Sequence, residues 1–292
     1  MIQNTRWTAR AYAKINLGLH VNARLDNGYH DITTGFAFID WSDRFEVQES
    51  DRHRIEMKNT DIEAGPGNLV NRAIELFDLE VGLKSHWHIT VEKQIPAGAG
   101  LGGGSSDAAL TLRMMNQLEG HRLSDSELAE IGATLGSDIP LFIYNKTAIG
   151  TGTGTDLAFV DIQPKCWIIT VFAGIHSSTA EAYRYCEPNS MHDFDLTRIL
   201  QIEPIEEWKY LVANDLEPQV VALHSMVGNV KDQLYEDGAS FALMSGSGSA
   251  VYGLFEQEFV ANQSLRGFLE AGMQAKITAQ DFKPDTNIYE LV

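Results

Sequence analysis

A glycine-rich loop between a predicted strand and a predicted helix constrains this chain more than any other stretch. Five glycines lie between Gly98 and Gly104. The run at 86–95 before them is typical of a strand, and the run at 108–118 after them predicts a helix that is apolar on most faces. Glycine lets a backbone approach a ligand closely, and a helix start presents unpaired N–H groups. The loop therefore predicts a site for the phosphates of a nucleotide.

Two hydroxyl groups follow the last glycine. Ser105 and Ser106 stand where helix-capping residues belong, and they are also expected to reach a phosphate or a metal-bound water. A Walker A loop fits badly, because it requires lysine after its last glycine. A dinucleotide-binding fold also fits badly, because it places its glycine motif at the start of the chain and an acid about 20 residues later. A flexible connection remains the alternative interpretation.

Composition restricts the partners of the chain. The net charge of −18 over 292 residues argues against nucleic-acid backbones and anionic membranes. Any phosphate must then be held by backbone amides, a few local cations and Mg²⁺. A cytoplasmic protein is predicted, because the sequence shows no run of 18 apolar residues and no leader pattern. Cys166 and Cys186 form no C-x-x-C motif and are predicted to be reduced.

The first predicted strand, at 6–22, places Lys14 and Asn16 on its polar face. An ordinary solvated face is the alternative reading of these two residues. Asp26-Asn27-Gly28 predicts a tight turn, and Tyr29 and His30 come just after it, where loop residues can meet a ligand. Further strands are predicted at 31–39 and 43–58.

Asn68 is predicted to cap a helix over 68–77. Ser124 with Glu127 forms a capping box for another helix, which follows the one at 108–118. Asp138 follows that helix, and Pro140 is expected to hold the intervening residue extended. An acid at such a break is usually a helix cap. His86 and His88 share a strand face, but no third metal ligand lies nearby in the sequence.

The chain restarts near 160, which predicts domains at 1–158 and 159–292. The second half shows a strand at 166–172, helices beginning at 177 and 214, and a strand–turn–strand pattern at 238–255. Its glycine–serine turn either supplies more backbone amides to the same phosphates or is a plain hairpin. Strands mixed with helices, without strict alternation, predict an α+β fold.

Three stretches in this order, 13–17, 96–107 and 244–249, resemble the GHMP kinase superfamily, which includes galactokinase, homoserine kinase and mevalonate kinase. Shorter stretches at 26–30, 68–73, 136–140 and 214–218 resemble one branch of it, whose small alcohol substrate carries a cytidyl group and belongs to the non-mevalonate isoprenoid pathway. The resemblance implies a two-domain fold, with an N-terminal ATP-binding domain, a C-terminal α/β domain and the active site between them.

The resemblance also implies roles for individual residues. Asp138 matches the base that takes the proton from the substrate hydroxyl, and Lys14 matches its partner, which keeps the aspartate ionised. ATP and Mg²⁺ are the implied cofactors, and the sequence does not identify the metal ligands. The residues implied to bind the nucleotide are Asn68, Leu69, Lys93, Pro96, Ala97, Gly98, Ala99, Gly100, Leu101, Gly102, Gly103, Gly104, Ser105 and Ser106. Those implied to face the cytidyl substrate are Asn16, Tyr29, His30, Asp138, Thr179 and Tyr183.

Two alternatives stay open. One is a GHMP kinase for another small alcohol, such as homoserine or mevalonate, which the Tyr29-His30 turn disfavours. The other is a nucleotide-binding regulatory relative without catalysis, which the presence of both Lys14 and Asp138 disfavours. Ser137 departs from the alanine found in many relatives. A monomer or a weak homodimer is predicted, because a charge of −18 opposes self-association.

Overall fold

The computed structural model describes residues 5–120, 122–188 and 195–291. The first half builds one mixed sheet with four helices on it. Its strands are β1 (Arg6–Arg24), β2 (His30–Ser50), β3 (Arg54–Lys58), β4 (His86–Glu92), β5 (Ala148–Thr151) and β6 (Asp156–Phe159), and its helices are α1 (Leu69–Val81), α2 (Gly103–Leu118), α3 (Asp125–Ala133) and α4 (Ile139–Tyr144).

The second half builds a four-stranded antiparallel sheet, ordered β10-β7-β9-β8, with helices packed on it. Its strands are β7 (Trp167–Phe172), β8 (Phe241–Met244), β9 (Ala250–Phe255) and β10 (Gln274–Thr278). Its helices are α5 (Thr179–Arg184), α6 (Leu196–Ile202), a 3-10 turn at Ile205–Glu207, α7 (Trp208–Leu211), α8 (Glu217–Leu223), α9 (Ser225–Glu236) and α10 (Glu258–Glu270).

An irregularity in the pairing of β1 with β2 divides the residues of β1 between two cores. The register shifts between Tyr12, which pairs with Ser42, and Ala13, which pairs with Ile39, so that two residues of β2 have no partner on β1. Ala11, before the shift, belongs to the core beneath the helices. Ile15, after the shift, belongs to the core shared with the second half, which contains Leu254.

The two halves are joined by this shared core and by the end of the chain. Tyr252 is fully buried, and its hydroxyl donates to the Asn16 carbonyl at 3.0 Å. The last strand, β11 (Tyr289–Leu291), leaves the second half and pairs antiparallel with the start of β1. The two sheets therefore share a core, and the chain after residue 158 adds one strand to the first sheet.

Several local predictions differ from the structure. Helix α2 begins five residues earlier than predicted, because Gly102 adopts the left-handed conformation and starts it (φ 72°). Ser105 and Ser106 thus lie inside the first turns, and neither caps the helix. Ile139 is helical rather than extended, since Pro140 occupies the first turn of α4, where its missing N–H has no partner to lose.

Other local predictions are confirmed or extended. Asn68 caps α1, and the capping box of Ser124 and Glu127 starts α3. Strand β2 runs unbroken to Ser50, so part of the predicted 43–58 strands is its continuation. The stretch beginning at 214 gives two helices, α8 and α9. None of the helices in the described ranges has the length and apolar composition needed to cross a membrane.

Candidate active site

A cleft of about 1060 Å³ is lined by residues of both halves. The glycine loop after β4 and the start of α2 form one part of its lining. Strand β1, the turn after it and the segment 135–138 before α4 contribute from the first half, and α5 and the turn between β8 and β9 contribute from the second. This placement brings the glycine loop, the β1 polar face and the glycine–serine turn to one site.

The glycine loop has a conformation and a packing that exclude side chains. Gly98, Gly100 and Gly102 have φ of 62°, 75° and 72°, a region that residues with a Cβ rarely adopt. A Cβ on Gly100 would lie 2.0 Å from the Ser245 carbonyl oxygen, and one on Gly98 would lie 1.9 Å from His176 Nδ1. No side chain caps α2, so its first N–H groups remain available to an anion.

Gly100→Ala is expected to abolish most activity and to lower the free energy of unfolding. The added methyl group must displace the Ser245 backbone and also strain a left-handed residue, at about 1–2 kcal/mol for the strain alone. Gly272→Ala is the matched control, since Gly272 has φ 78° and open space around its Cβ. Urea denaturation and turnover of both variants separate the two effects, because Gly272→Ala introduces strain alone and Gly100→Ala introduces strain and a clash. Equal losses of stability in the two variants would contradict the clash.

Lys14 and Asp138 meet in the cleft. The Lys14 Nζ lies 3.5 Å from Asp138 Oδ2, with side chains that are 5% and 30% exposed. The Lys14 Nζ also donates to Asn16 Oδ1 at 2.5 Å and to the Gly100 carbonyl at 3.1 Å. Asp138 precedes α4 but makes no capping hydrogen bond. Its carboxylate is therefore directed to the ammonium and the cleft rather than used as the helix cap that is usual at such a position.

The glycine–serine turn between β8 and β9 packs directly against the glycine loop. The Ser245 hydroxyl donates to the Gly100 carbonyl at 3.0 Å and accepts from the Asn16 N–H at 3.2 Å. Asn214 fixes the turn from behind, because its amide donates to the Met244 and Gly246 carbonyls, both at 2.8 Å. The turn is a hairpin, as one reading of the sequence held, and it also fixes the backbone around Lys14.

An aromatic pair forms another part of the cleft. The rings of His30 and Tyr183 stack with centroids 4.8 Å apart and planes inclined at 25°. Burial, and then the charge of Arg24, lowers the pKa of His30. Burial, and then the charge of Asp138, raises the pKa of Tyr183. Thr179 Oγ1 lies 2.9 Å from Ser247 Oγ, which ties α5 to the glycine–serine turn.

Lys93 is committed to a buried ion network. Its Nζ contacts Asp43 Oδ2 and lies 2.6 Å from Asp107 Oδ2. Asp43 Oδ1 also accepts from the N–H groups of Gln94 and Ile95, at 2.5 and 2.9 Å. The two carboxylates outweigh burial and raise the pKa of Lys93, while burial raises the pKa of Asp107. The ammonium predicted to contact a nucleotide is thus shared between two protein carboxylates, one on β2 and one on α2.

The structure brings nearly all the predicted site residues together. Ser106 is the exception: its side chain is buried, and its hydroxyl donates to the Tyr12 carbonyl at 2.7 Å. Tyr29 lines the cleft but is largely exposed. The others that line the same cleft are Lys14, Asn16, His30, Asn68, Leu69, Lys93, Pro96, Ala97, Gly98, Ala99, Gly100, Leu101, Gly102, Gly103, Gly104, Ser105, Asp138, Thr179 and Tyr183.

Sequence reasoning missed other residues of the cleft. Arg24 and Arg184 line it, and so does Ser247 of the glycine–serine turn. Arg24 stands two residues before the turn at 26–30, and Arg184 directly follows Tyr183, so nearness to predicted site residues is the signal that could have identified them. Within the described ranges, no three His, Cys, Asp or Glu side chains are grouped to hold a metal ion.

Comparison with known proteins identifies the family. Models of the GHMP kinase N-terminal and C-terminal domains match residues 68–146 and 198–272. A 4-diphosphocytidyl-2-C-methyl-D-erythritol kinase of Chlorobium limicola is 36% identical over 280 residues, covering 94% of this chain and 97% of that protein. The corresponding kinase of Citrifermentans bemidjiense is 38% identical over 262 residues, covering 87% and 91%. The chain belongs to the GHMP kinase family.

Solved structures agree with this assignment. A crystal structure of 4-(cytidine 5'-diphospho)-2C-methyl-D-erythritol kinase matches this GHMP kinase with a TM-score of 0.79 and 31% identity, covering 93% of this chain and 98% of that one. Homoserine kinase from Cytophaga hutchinsonii matches with a TM-score of 0.71 at 14% identity, which shows the shared fold alone. The predicted α+β GHMP fold is confirmed, and so is its place among ATP-dependent phosphotransferases that act on small molecules.

Proposed function

We propose that this GHMP kinase transfers the γ-phosphoryl group of ATP to the 2-hydroxyl of 4-diphosphocytidyl-2-C-methyl-D-erythritol, in the non-mevalonate isoprenoid pathway. The observation that carries the proposal is the position of the Lys14–Asp138 pair. It lies in one cleft with a glycine loop suited to a triphosphate and with the His30–Tyr183 ring pair. Relatives at 36–38% identity carry the name of this activity.

Asp138 is the general base in this proposal. Its carboxylate, 3.5 Å from the Lys14 ammonium, accepts the proton of the substrate hydroxyl as the oxygen attacks phosphorus. Lys14 is held in place by Asn16 Oδ1 and the Gly100 carbonyl. It also offers its charge to the oxygens that gain charge during transfer. Phosphoryl transfer otherwise needs in-line positioning and neutralisation of the phosphate oxygens.

The glycine loop and the start of α2 bind the triphosphate through backbone N–H groups, and Asn68 and Leu69 line the adenine end. Mg²⁺ usually has few protein ligands and is bound largely by substrate phosphates and water. The cleft fits this mode, because Ser105 presents a hydroxyl in the first turn of α2 while the described acids form no dedicated metal cluster. Ser105 would hold the ion, which neutralises charge on the phosphate oxygens.

The His30–Tyr183 pair and Thr179 recognise the cytidyl part of the substrate. Because burial and the charge of Arg24 lower its pKa, His30 is neutral near pH 7. A neutral imidazole carries one donor and one acceptor, a pattern that suits the edge of cytosine. Tyr183 adds an aromatic surface on which a pyrimidine packs.

A coupled assay of ATP consumption tests this function. Purified protein with Mg²⁺ and ATP is expected to phosphorylate 4-diphosphocytidyl-2-C-methyl-D-erythritol and not the same alcohol without its cytidyl group. Homoserine and mevalonate are the comparison substrates, and turnover of either in place of the cytidyl compound would contradict the substrate assignment. ATP binding without turnover of any alcohol would instead favour the regulatory alternative.

A further inference from the structure

Two arginines flank the aromatic pair at the cleft. Arg24 ends β1 and is the cross-strand register partner of His30. Arg184 ends α5 and directly follows Tyr183. Because the His30 and Tyr183 rings stack, the two guanidinium-bearing residues approach the same part of the cleft from different halves of the chain. Both lie among the residues that line the cleft.

These arginines are the uncompensated cations of the site. The other lysine and arginine residues lining the cleft are Lys14, which pairs with Asp138, and Lys93, which pairs with two buried aspartates. Among residues 5–120, 122–188 and 195–291, no carboxylate forms an ion pair with Arg24 or Arg184. The chain as a whole carries a charge of −18. The two guanidinium groups therefore place unneutralised positive charge at the cleft of a chain whose net charge is strongly negative.

The chemistry of arginine indicates the ligand. A guanidinium group is a planar fork of N–H donors that matches phosphate oxygens, and charge-assisted hydrogen bonds of this type are strong. The glycine loop already offers backbone N–H groups for the triphosphate of ATP. In the proposed substrate a second anion, a diphosphate, is attached one ribose away from the base. With the base at the His30–Tyr183 pair, this diphosphate would extend into the part of the cleft that Arg24 and Arg184 line.

We propose that Arg24 and Arg184 form a second anion site in the cleft, separate from the glycine loop, which binds the diphosphate of the cytidyl substrate. The proposal rests on the function proposed above. In this proposal, backbone amides bind the triphosphate of ATP and guanidinium groups bind the diphosphate of the acceptor. It also explains how a chain of such negative charge binds an anionic acceptor.

Calorimetric binding of CDP and cytidine tests this site without requiring turnover. Arg24→Gln and Arg184→Gln are each expected to lower the affinity for CDP about tenfold, as expected when a charge-assisted hydrogen bond is lost. The affinity for cytidine is expected to stay as in the wild type. KM for the cytidyl substrate should rise in parallel while KM for ATP stays constant. Arg266→Gln, at an exposed position on α10, is the matched control and should change neither affinity.

Three outcomes would overturn the proposal. A variant with both substitutions, Arg24→Gln and Arg184→Gln, is measured in the same way. Unchanged CDP affinity in this double variant would show that neither arginine binds the diphosphate. A parallel loss of CDP and cytidine affinity would indicate a damaged base pocket instead of a lost phosphate contact. In both cases, phosphorylation of the cytidyl substrate by the wild type would leave the proposed function intact. Failure of the wild-type protein to bind either ligand would overturn this site and the proposed function together.

Discussion

Asp138→Asn is expected to lower kcat by about 10²–10⁴-fold, the range that general acid–base catalysis contributes. The amide cannot accept the proton of the substrate hydroxyl, and it no longer pairs as an anion with Lys14. Folding should be retained, because the Asp138 side chain makes no capping hydrogen bond and is 30% exposed. KM for ATP should change little, since the triphosphate site is built from the glycine loop.

Steady-state kinetics of this variant should be read beside circular dichroism and the affinity for ATP. Asp51→Asn, at an exposed turn between β2 and β3, is the matched control and should behave as the wild type. A variant at position 138 that still turns over within a few fold of the wild type would move the base elsewhere. A variant that fails to bind ATP would indicate a structural effect of the substitution.

Lys93→Met is expected to destabilise the fold by about 3–5 kcal/mol, which is typical when one partner of a buried ion pair is removed. The substitution leaves the carboxylates of Asp43 and Asp107 without their shared ammonium, and both side chains are nearly inaccessible. Urea denaturation measures the effect. Lys146→Met is the matched control, because Lys146 is exposed and its ammonium lies over the ring of Phe159.

The loss of stability caused by Lys93→Met should become larger as pH rises. Burial already raises the pKa of Asp107, and removal of Lys93 raises it further. The folded variant then binds a proton that the unfolded chain has released, so its free energy of unfolding falls as pH rises through that raised pKa. The deficit relative to the wild type should be smaller at pH 5 than at pH 8. A variant of normal stability at both pH values, with a raised KM for ATP, would instead make Lys93 a nucleotide contact.

Short sequence patterns predicted the parts of the site whose backbone conformation is set by neighbouring residues. The glycine loop, the cap at Asn68 and the turn before Tyr29 were all readable because each depends on a few adjacent residues. The start of α2 was misplaced because Gly102 opens the helix without a capping side chain. The alternation in β1 likewise gave no sign of the register shift at Tyr12–Ala13, because the extra residues lie in β2.

The assembly of the site depends on contacts that no local pattern encodes. Spacing alone did not bring Lys14 to Asp138, which is 124 positions away; resemblance to the family linked them. The Ser245 hydroxyl contacts the Asn16 N–H across 229 positions, and Tyr183 of the second half stacks on His30 of the first. Such pairings follow from how two sheets share a core, which is a property of the whole chain.

The shared core also orders events during synthesis on the ribosome. Ile15 and Leu17 of β1 bury themselves against Leu254 and its neighbours, which are translated more than 200 residues later. The strand that covers the outer edge of β1 at Arg6–Thr8 is the last of all, Tyr289–Leu291. Until those residues are translated, the nascent first half exposes an apolar face and an unpaired strand edge. Both features favour association between chains. This is the interval in which a chaperone would protect the protein.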